Sequence, residues 1–420
     1  MSKEKGHNNL IPELRFPEFE GKGEWVRKKL GEFLEFKNGI NAKREQYGKG
    51  IKFINVLDII QNPFITYDKI IGSVEITEKE ISKNEVSYGD ILFQRSSETR
   101  EDAGQANVYL DKERRAVFGG FVIRGKKKHE YDPVFMNYLL KTEVARKEIT
   151  SRSAGSTRFN IGQDSLNEVE IFFPKSKPEQ QKIAATLTSL DNLIAAENEK
   201  LEALKAHKRG LLQQLFPAKG EKVPKVRFGE FSGEWEERTL GDIGSPLMCK
   251  RIFKEQTNTD PTDSVPFYKI GTFGKVADAY IPMELFKEFK SKYSYPNIGD
   301  ILISASGTIG RLVIYDGADS YYQDSNIVWL GHDESDVNNS FLYYYYSTVK
   351  WQTSDGGVIK RLYNSNLKEM VIFYPKEKEE QKKITNCLSS LDNMIAAQSE
   401  KIELITEHKK GLMQQLFPTV

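Results

Sequence analysis

The sequence predicts an α+β protein made of two similar halves, each with a mixed α/β globular domain followed by a long helix. Three observations support this prediction. A long phrase occurs twice, shorter phrases in the preceding segments also recur, and the long phrases carry a helical pattern of apolar residues. A single amphipathic helix cannot bury its apolar stripe alone. We therefore expect two pseudo-symmetric domains separated by two long helices that form an antiparallel coiled coil.

The long repeat occupies residues 174–217 and 375–418. Its two copies align without a gap, with an offset of 201 residues at both ends, and more than half of the aligned positions are identical. Such a tandem duplication predicts two halves related by a rotation.

Each copy of the repeat predicts one long helix, because its apolar residues follow the spacing of a coiled-coil seam. In the first copy these residues are Ile183, Leu187, Leu190, Ile194, Leu201, Leu204, Leu211 and Leu215. In the second copy they are Ile384, Leu388, Leu391, Ile395, Ile402, Ile405, Leu412 and Leu416. At 1.5 Å per residue, each helix would be about 55 Å long.

The seam of both helices is interrupted by polar residues at equivalent positions. Glu197 and Lys208 interrupt the first copy, and Gln398 and Lys409 interrupt the second. Polar residues in such a seam commonly fix register or orientation. At the start of the first helix, Ser176 and Glu179 fit a capping box.

The two globular segments share short sequence motifs, and the residues between these motifs differ. RFPEF at residues 15–19 is echoed by RFGEF at 227–231, and GDIL at 89–92 recurs at 299–302. A common frame with divergent loops presents two different binding surfaces. We divide the chain into a polar N-terminal tail (1–13), a first globular domain (14–175), a first helix (176–217), a linker (218–225), a second globular domain (226–375) and a second helix (376–420).

The composition and the absence of known motifs argue against several classes of protein. The chain has 420 residues, a net charge of +1, two cysteines and five histidines. The polar start and the lack of a long apolar run predict a cytoplasmic protein without a membrane span. We find no GxxxxGK[ST] loop, no glycine-rich cofactor loop and no metal-ligand spacing of histidines. We therefore expect no catalysis by this chain itself.

The repeated helical phrases resemble those of the specificity (S) subunit of type I restriction–modification systems. The phrases at 179–191 and 208–216, with their second copies, carry the resemblance most specifically. The GDIL motif and the glycine-containing segment 299–310 also fit the recognition domains of that family, and the resemblance covers almost the whole chain.

The resemblance implies that two target-recognition domains each read one half of an asymmetric, bipartite sequence in double-stranded DNA. It also implies that the helices set the half-site spacing and dock two copies of the modification (methyltransferase) subunit. The restriction (motor-nuclease) subunits would join through the complex. The chain itself would bind no cofactor, whereas the partner subunits would use S-adenosylmethionine, ATP and Mg²⁺.

Polar and basic loops of the first domain are the candidate DNA contacts. Arginine and glutamine at the end of a strand can make bidentate hydrogen bonds to base edges in the major groove. The alternative is a solvated surface loop with a structural ion pair. The candidates are Lys37, Asn38, Lys43, Arg44, Gln94, Arg95, Ser96, Arg100, Arg152, Thr157, Arg158 and Asn160.

The second domain has candidate DNA contacts in the equivalent loops, but they are different residues. Small residues and glycines at 304–311 allow close approach to a phosphate or a base edge, and the alternative is a tight β-turn. The candidates are Lys269, Thr272, Ser306, Thr308, Arg311, Lys360, Arg361 and Tyr363.

Three hypotheses follow from the sequence. The preferred one is a DNA-reading subunit that directs partner enzymes. A coiled-coil scaffold that never touches DNA is the alternative that the near-neutral charge favours. A self-contained restriction or modification enzyme is the third, and the missing catalytic motifs argue against it.

Overall fold

The computed structural model describes residues 10–218, 220–351 and 361–419. The chain divides into two units, Met1–Asn198 with Lys401–Val420, and Glu199–Glu400. Each unit contains a globular part and a stretch of both long helices. Strands and helices are mixed along each globular part, so the predicted α+β class is confirmed.

In the described residues of the first unit, the strands form a four-stranded sheet, a three-stranded sheet and two two-stranded ribbons. The strands are β1 (Val26–Lys29), β2 (Leu34–Asn38), β3 (Tyr47–Ile54), β4 (Ser73–Val74), β5 (Ile91–Gln94), β6 (Ser96–Ser97), β7 (Ala106–Val108), β8 (Val117–Phe118), β9 (Val122–Lys127), β10 (Phe159–Asn160) and β11 (Glu170–Phe173). The sheet orders are β2-β9-β5-β7 and β4-β3-β8, and the ribbons are β1-β11 and β6-β10. Strands β3 and β8 are parallel, whereas the pairs of the four-stranded sheet are antiparallel.

Some helices of the first unit begin at a side chain that caps them. The Asp132 carboxylate accepts a hydrogen bond from the backbone N–H of Phe135, and the Thr142 hydroxyl accepts one from Ala145. The helices are α1 (Leu30–Phe33), α2 (Val56–Ile60), α3 (Glu78–Asn84), α4 (Pro133–Leu139), α5 (Glu143–Ser151), α6 (Gln163–Asn167) and the long α7 (Lys177–Leu215), with 3₁₀ turns at Pro17–Phe19, Arg44–Gln46 and Tyr67–Lys69.

The second unit repeats this plan. Its strands are β12 (Glu236–Thr239), β13 (Ser245–Leu247), β14 (Ser264–Tyr268), β15 (Tyr280–Pro282), β16 (Ile301–Ser304), β17 (Leu312–Ile314), β18 (Tyr321–Tyr322), β19 (Ile327–Gly331) and β20 (Val371–Tyr374). Its helices are α8 (Leu240–Ile243), α9 (Met283–Lys292), α10 (Asn339–Thr348), α11 (Asn364–Lys368) and the long α12 (Lys378–Leu416), with a 3₁₀ turn at Lys254–Gln256. The sheet orders β13-β19-β16-β17, β15-β14-β18 and β12-β20 match those of the first unit, so the predicted pseudo-symmetry is confirmed.

The repeated GDIL motif builds the turn that leads into a central strand. Gly89 and Gly299 both have a positive φ, 90° and 94°, which favours glycine. The next residue closes the turn, because Asp90 accepts from the N–H of Ser87 and Asp300 accepts from that of Asn297. Burial raises the pKa of both carboxyl groups. The motif therefore has a structural role: it forms the turn before β5 and before β16, the strands that lead into candidate DNA-contact loops.

A buried ion pair attaches the segment before β1 to the start of α7. Arg15 donates two hydrogen bonds to the Glu179 carboxylate, at 2.8 and 2.9 Å, and the Trp25 indole N–H donates a third at 3.2 Å. The Glu179 side chain is 1% exposed. Glu179 thus anchors a distant segment instead of serving the capping box predicted with Ser176.

The second unit contains the same ion pair. Arg227 donates to Glu380 at 2.8 and 2.7 Å, and the Trp235 indole donates to the same carboxylate at 3.3 Å. The recurring RF phrase therefore supplies the arginine of a buried contact that occurs in both units.

The end of α12 completes the core of the first unit. Leu416 and Phe417 lie in its main hydrophobic cluster. The Phe417 ring packs edge-on against Trp25 at 6.0 Å and stacks on Phe135 at 5.6 Å. The backbone N–H of Leu14 also donates to the carbonyl oxygen of Gln415.

The end of α7 completes the core of the second unit. Leu215 and Phe216 join its core, and Phe216 packs edge-on against Trp235 at 6.1 Å. In the first unit the start of α7 accompanies the end of α12, and in the second unit the end of α7 accompanies the start of α12. The two helices therefore run in opposite directions, which confirms the predicted antiparallel pairing.

A tyrosine, an aspartate and a lysine meet where the helices cross in the first unit. The Tyr138 hydroxyl of α4 donates to Asp191 of α7 at 2.5 Å, and Lys409 of α12 forms an ion pair with the same carboxylate. The Lys409 ammonium also lies 5.4 Å from the centre of the Tyr138 ring. Lys409, predicted only as an interruption of the seam, thus has a partner on the other helix.

The second unit contains the matching triad. Tyr344 of α10 donates to Asp392 of α12 at 2.8 Å, and Lys208 of α7 pairs with that aspartate and lies 5.5 Å from the tyrosine ring. Each lysine pairs with the aspartate of the other repeat. The two triads therefore favour the same antiparallel register from both units.

We predict that Phe417→Ala destabilises the first unit by about 3–5 kcal/mol, because a buried aromatic residue leaves a cavity. Hydrogen exchange followed by mass spectrometry should show faster exchange in residues 10–198 than in residues 220–351. Leu404→Ala, on the same helix at a side chain that is 59% exposed, is the matched control and should change little. Equal effects of the two substitutions would contradict the role given to Phe417.

We predict that Lys409→Met costs about 1–3 kcal/mol of stability, because it leaves the half-buried Asp191 carboxylate without its cation. Chemical denaturation monitored in the first unit measures this loss. Lys205→Met is the control, since Lys205 forms an exposed i,i+3 pair with Glu202 on α7 and should contribute less than about 1 kcal/mol. A loss no larger than that of the control would show that the triad is dispensable.

Candidate nucleic-acid interface

Three segments of the first unit meet where β5 ends. Strands β6 and β10 pair with Asn160 opposite Ser96. Arg95, between β5 and β6, donates its backbone N–H to the carbonyl oxygen of Phe121 at 2.9 Å and accepts from the N–H of Ile161 at 3.0 Å. The backbone thus brings distant parts of the sequence to one edge of the unit.

Side chains from these segments line two open cavities. We call this surface the first loop face. Asn38, Arg95, Asn160 and Gln163 contribute to a cavity of about 450 Å³. A second cavity of about 340 Å³ is lined by Gln94, Ser96, Ser97, Phe121 and Arg158, together with Val56 and two acidic residues, Glu98 and Asp102.

The first loop face offers donors and acceptors of the kind that read base edges. Arg95 is exposed, and its guanidinium donates one hydrogen bond to the carbonyl oxygen of Gly120 at 3.3 Å. Gln94 donates to the carbonyl oxygen of Ser96, while its buried Oε1 has no hydrogen-bond partner among the described residues. Arg158 and Asn160 are exposed. Such groups suit guanine and adenine edges as well as phosphates.

Other candidate DNA contacts of the first unit do not line either cavity of the first loop face. Lys43 and Arg44 are exposed at the 3₁₀ turn after β2, and Thr157 is exposed in the loop before β10. The Arg100 guanidinium lies 5.4 Å from the centre of the Phe159 ring. These positions are compatible with contact to a polyanion, which stays a prediction.

Two candidates have structural partners instead. The Lys37 ammonium donates to the carbonyl oxygen of Lys83 at 2.6 Å, and burial lowers its pKa. Arg152 donates to Glu148 at 2.9 and 2.6 Å, and the same glutamate oxygen accepts from the backbone N–H of Glu170 on β11. Neither side chain lines the cavities of the first loop face, because its charge already has a partner elsewhere.

The second unit builds the same backbone frame with different side chains. Ala305 donates its N–H to the carbonyl oxygen of Asn326 at 2.7 Å and accepts from the N–H of Leu362 at 2.7 Å. Ser306 and Arg361 face each other across an isolated antiparallel bridge. We call the surface around these residues the second loop face.

The polar side chains of the second loop face are partly engaged with one another. The Ser306 hydroxyl donates to Asn326 Oδ1 at 2.8 Å, and Arg361 donates to the carbonyl oxygen of Ser325 at 2.7 Å. Thr308 and Tyr363 are exposed, Tyr363 at 62%. They remain candidates for contact with a ligand.

The remaining candidates cluster around the turn after β14. Lys269 forms an ion pair with Asp278 at 2.8 Å, and the Thr272 hydroxyl accepts from the N–H of Lys269 at 3.2 Å. Arg311 donates to the carbonyl oxygen of Phe273 at 2.7 Å. These contacts stabilise the loop and occupy part of each polar group. Lys360 lies outside the described residues.

Residues that sequence reasoning missed also occupy the loop faces. Phe121 and Asn326 are the residues directly before β9 and β19, and both accept the equivalent backbone hydrogen bond. The only local signal for Phe121 is an aromatic residue directly after two glycines. Asn326 carries no such signal.

The described residues lack a cluster of metal ligands. They contain no group of three or more histidine, cysteine or acidic residues that could hold a metal ion. Burial raises the pKa of the Cys249 thiol to about 12, so it is a poor nucleophile at neutral pH. In the same residues, no helix is long and apolar enough to span a membrane.

Comparison with known families agrees with the resemblance seen in the sequence. A family model described as "Type I restriction modification DNA specificity domain" matches residues 22–206 and 232–407, one segment in each half. The chain therefore belongs to this family, and it is a non-catalytic specificity component of type I restriction systems.

Two relatives illustrate the range of similarity. A putative type I restriction enzyme specificity subunit from Haemophilus influenzae is 53% identical over 171 residues, which cover 41% of this chain and 44% of that protein. A putative type I restriction enzyme MjaX specificity subunit from Methanocaldococcus jannaschii is 26% identical over 417 residues, which cover 94% of this chain and 93% of that protein. The chain thus spans less than half of the first relative and nearly all of the second.

Solved structures share the fold. The S subunit of a type I system from M. genitalium aligns with a TM-score of 0.57 at 18% identity, over 98% of this chain and 100% of that one. A chain from a study of complex assembly and conformational transition of the type I restriction–modification system aligns with a TM-score of 0.61 at 16% identity, over 94% and 97%. These similarities confirm the architecture.

Proposed function

We propose that this chain selects the DNA sequence at which the other subunits of a type I restriction–modification complex act. One observation carries the proposal beyond family membership: the two loop faces have the same backbone frame and different side chains. Arg95 and Asn160 in the first unit correspond to Ala305 and Arg361 in the second. Two readers built this way would recognise two unlike half-sites, so the target would be asymmetric and bipartite.

The division of labour follows the two globular domains. The domain at 14–175 would read one half-site through the first loop face, and the domain at 226–375 would read the other through the second loop face. Exposed Arg95 and Arg158 supply donors for guanine or phosphate, whereas the unpartnered Oε1 of Gln94 is buried.

The two long helices would set the distance between the half-sites. Each is a continuous α-helix of 39 residues. Half-sites read from one side of B-DNA lie about 34 Å apart or at multiples of that distance. A helix pair whose register is held by half-buried ion pairs supports a fixed spacing better than a flexible linker does.

The same helices would dock two modification subunits. Leu193 and Met394 occupy equivalent positions in the two repeats and are 42% and 48% exposed, each followed two and three residues later by a pair of alanines. Equivalent apolar positions support two equivalent partner sites. S-adenosylmethionine, ATP and Mg²⁺ would be used by the partner subunits, and the restriction subunits would join through the complex.

The coiled-coil scaffold without DNA binding remains the competing function. The net charge of +1 favours it, because many DNA-binding domains are basic. The exposed arginines of the first loop face favour a DNA-reading function.

We predict that the chain, purified with its modification subunit, binds one asymmetric, interrupted DNA sequence at least about a thousandfold more tightly than random duplex at physiological salt. Mapping of methylated adenines in cells with and without the chain identifies the sequence, and a titration of labelled duplexes measures the ratio. Equal affinity for all duplexes would leave the scaffold as the function.

We predict that Arg95→Ala weakens binding by about 1–3 kcal/mol and relaxes specificity in one half-site only, as expected for a bidentate base contact. Duplexes with either half-site scrambled separate the two effects. Arg152→Ala is the matched control, since Arg152 is held by Glu148 and should leave affinity unchanged. A uniform loss on every duplex would reassign Arg95 to phosphate contact.

A further inference from the structure

We infer that one structurally equivalent position in each unit reads a base edge: Phe121 contacts the 5-methyl group of a thymine, and Asn326 contacts the edge of an adenine. This inference rests on the proposed function and adds to it the chemistry of two recognised bases. It concerns residues that polarity alone does not single out in the sequence.

The equivalence of the two positions comes from the backbone. Phe121 accepts the N–H of Arg95, and Asn326 accepts the N–H of Ala305. Each directly precedes the strand that lies between two others in the four-stranded sheet, β9 or β19. The frame therefore presents one side-chain position twice, with a hydrocarbon ring in one unit and an amide in the other.

The Phe121 ring is exposed on a turn that the structure holds firmly. Its exposure is 64%, although it is the largest apolar side chain of the first loop face. A side chain at the preceding Gly120 would meet the Asn41 amide, which would have to move away. The Gly120 N–H also donates to the carbonyl oxygen of Ile40 at 2.9 Å. The backbone hydrogen bonds therefore fix the turn, and the exposed ring is accessible to a ligand.

The neighbours of the ring match the edge of thymine. In the major groove thymine shows a methyl group beside the O4 acceptor, and apolar side chains contact that methyl. Arg158 lines the same cavity as Phe121 and can donate to an acceptor such as O4. The methyl group distinguishes thymine from cytosine at the ring itself, whereas Glu98 and Asp102, which line the same cavity, are acceptors for a cytosine amino group, so the base is assigned from the ring.

The Asn326 amide offers the groups that a different base requires. The Ser306 hydroxyl donates to Oδ1, which leaves the second lone pair of Oδ1 and both N–H groups of Nδ2. An asparagine amide pairs with adenine by accepting from N6 and donating to N7. Arg361 holds the turn in place through the carbonyl oxygen of Ser325, so the amide is presented by a fixed backbone.

The experiment uses the complex with the modification subunit and its mapped target. Each thymine of the first half-site is replaced in turn by uracil, which removes only the methyl group. One replacement should weaken binding about three- to fivefold, the loss expected for one buried methyl group. Phe121→Ala should lose a similar factor on the natural duplex and become insensitive to that uracil. Phe121→Leu should retain part of the sensitivity.

Ile71→Ala is the control in the same unit, because its side chain is 85% exposed and does not line either cavity of the first loop face. It should keep the full response to uracil. For the second unit, 7-deazaadenine replaces each adenine of the other half-site and removes N7. One replacement should cost the wild type about tenfold, and Asn326→Ala should abolish that difference.

The outcomes separate this inference from the proposed function. Binding of the wild-type complex without sequence preference would overturn the proposed function itself. Specific binding that no uracil weakens, or that Phe121→Ala weakens without losing the uracil response, would overturn the assignment of Phe121 alone. An unchanged response of Asn326→Ala to 7-deazaadenine would overturn the assignment of Asn326.

Discussion

The core of each unit depends on the end of a helix that belongs to the other half of the sequence. Phe417 fills the space between Trp25 and Phe135 in the first unit, and Phe216 packs against Trp235 in the second. Burial of an aromatic side chain is worth several kcal/mol, a large part of the stability of a domain. Neither half therefore reaches its full core without the other, and the antiparallel helix pair is a condition for both globular parts.

Buried polar contacts select one arrangement of this pair. An apolar seam alone tolerates a slide by one heptad, because leucine and isoleucine recur at the same spacing. Tyr138, Asp191 and Lys409 meet in only one register, and a slide would leave a half-buried carboxylate without its cation. The Arg15–Glu179 pair fixes the entry of the chain onto α7 in the same way. Both contacts recur in the second unit, so the duplication repeats these register-fixing contacts as well as the fold.

Periodicity and repetition were enough to predict the helices, their direction and the α+β class, since these follow from local spacing and from symmetry. They did not reveal the partners of polar residues. Glu179 fitted a capping box with Ser176, yet Arg15, far away in sequence, takes its carboxylate. Lys409 and Lys208 were seen only as interruptions of a seam, because their aspartates lie on the opposite helix. Pairing across an antiparallel crossing cannot be read from one helix.

The loop faces show the same division between what local chemistry predicts and what tertiary contacts decide. Arg95 was predicted from its polarity and is exposed at the meeting of three segments, whereas Arg152, equally basic, is held by Glu148. Phe121 was missed because a search for donors and acceptors passes over hydrocarbon. In both units the hydrogen bonds that build the frame come from the backbone, so they do not depend on which side chain stands at position 121 or 326. A backbone frame of this kind lets the side chains of the loop faces change while the fold and the helix register stay the same.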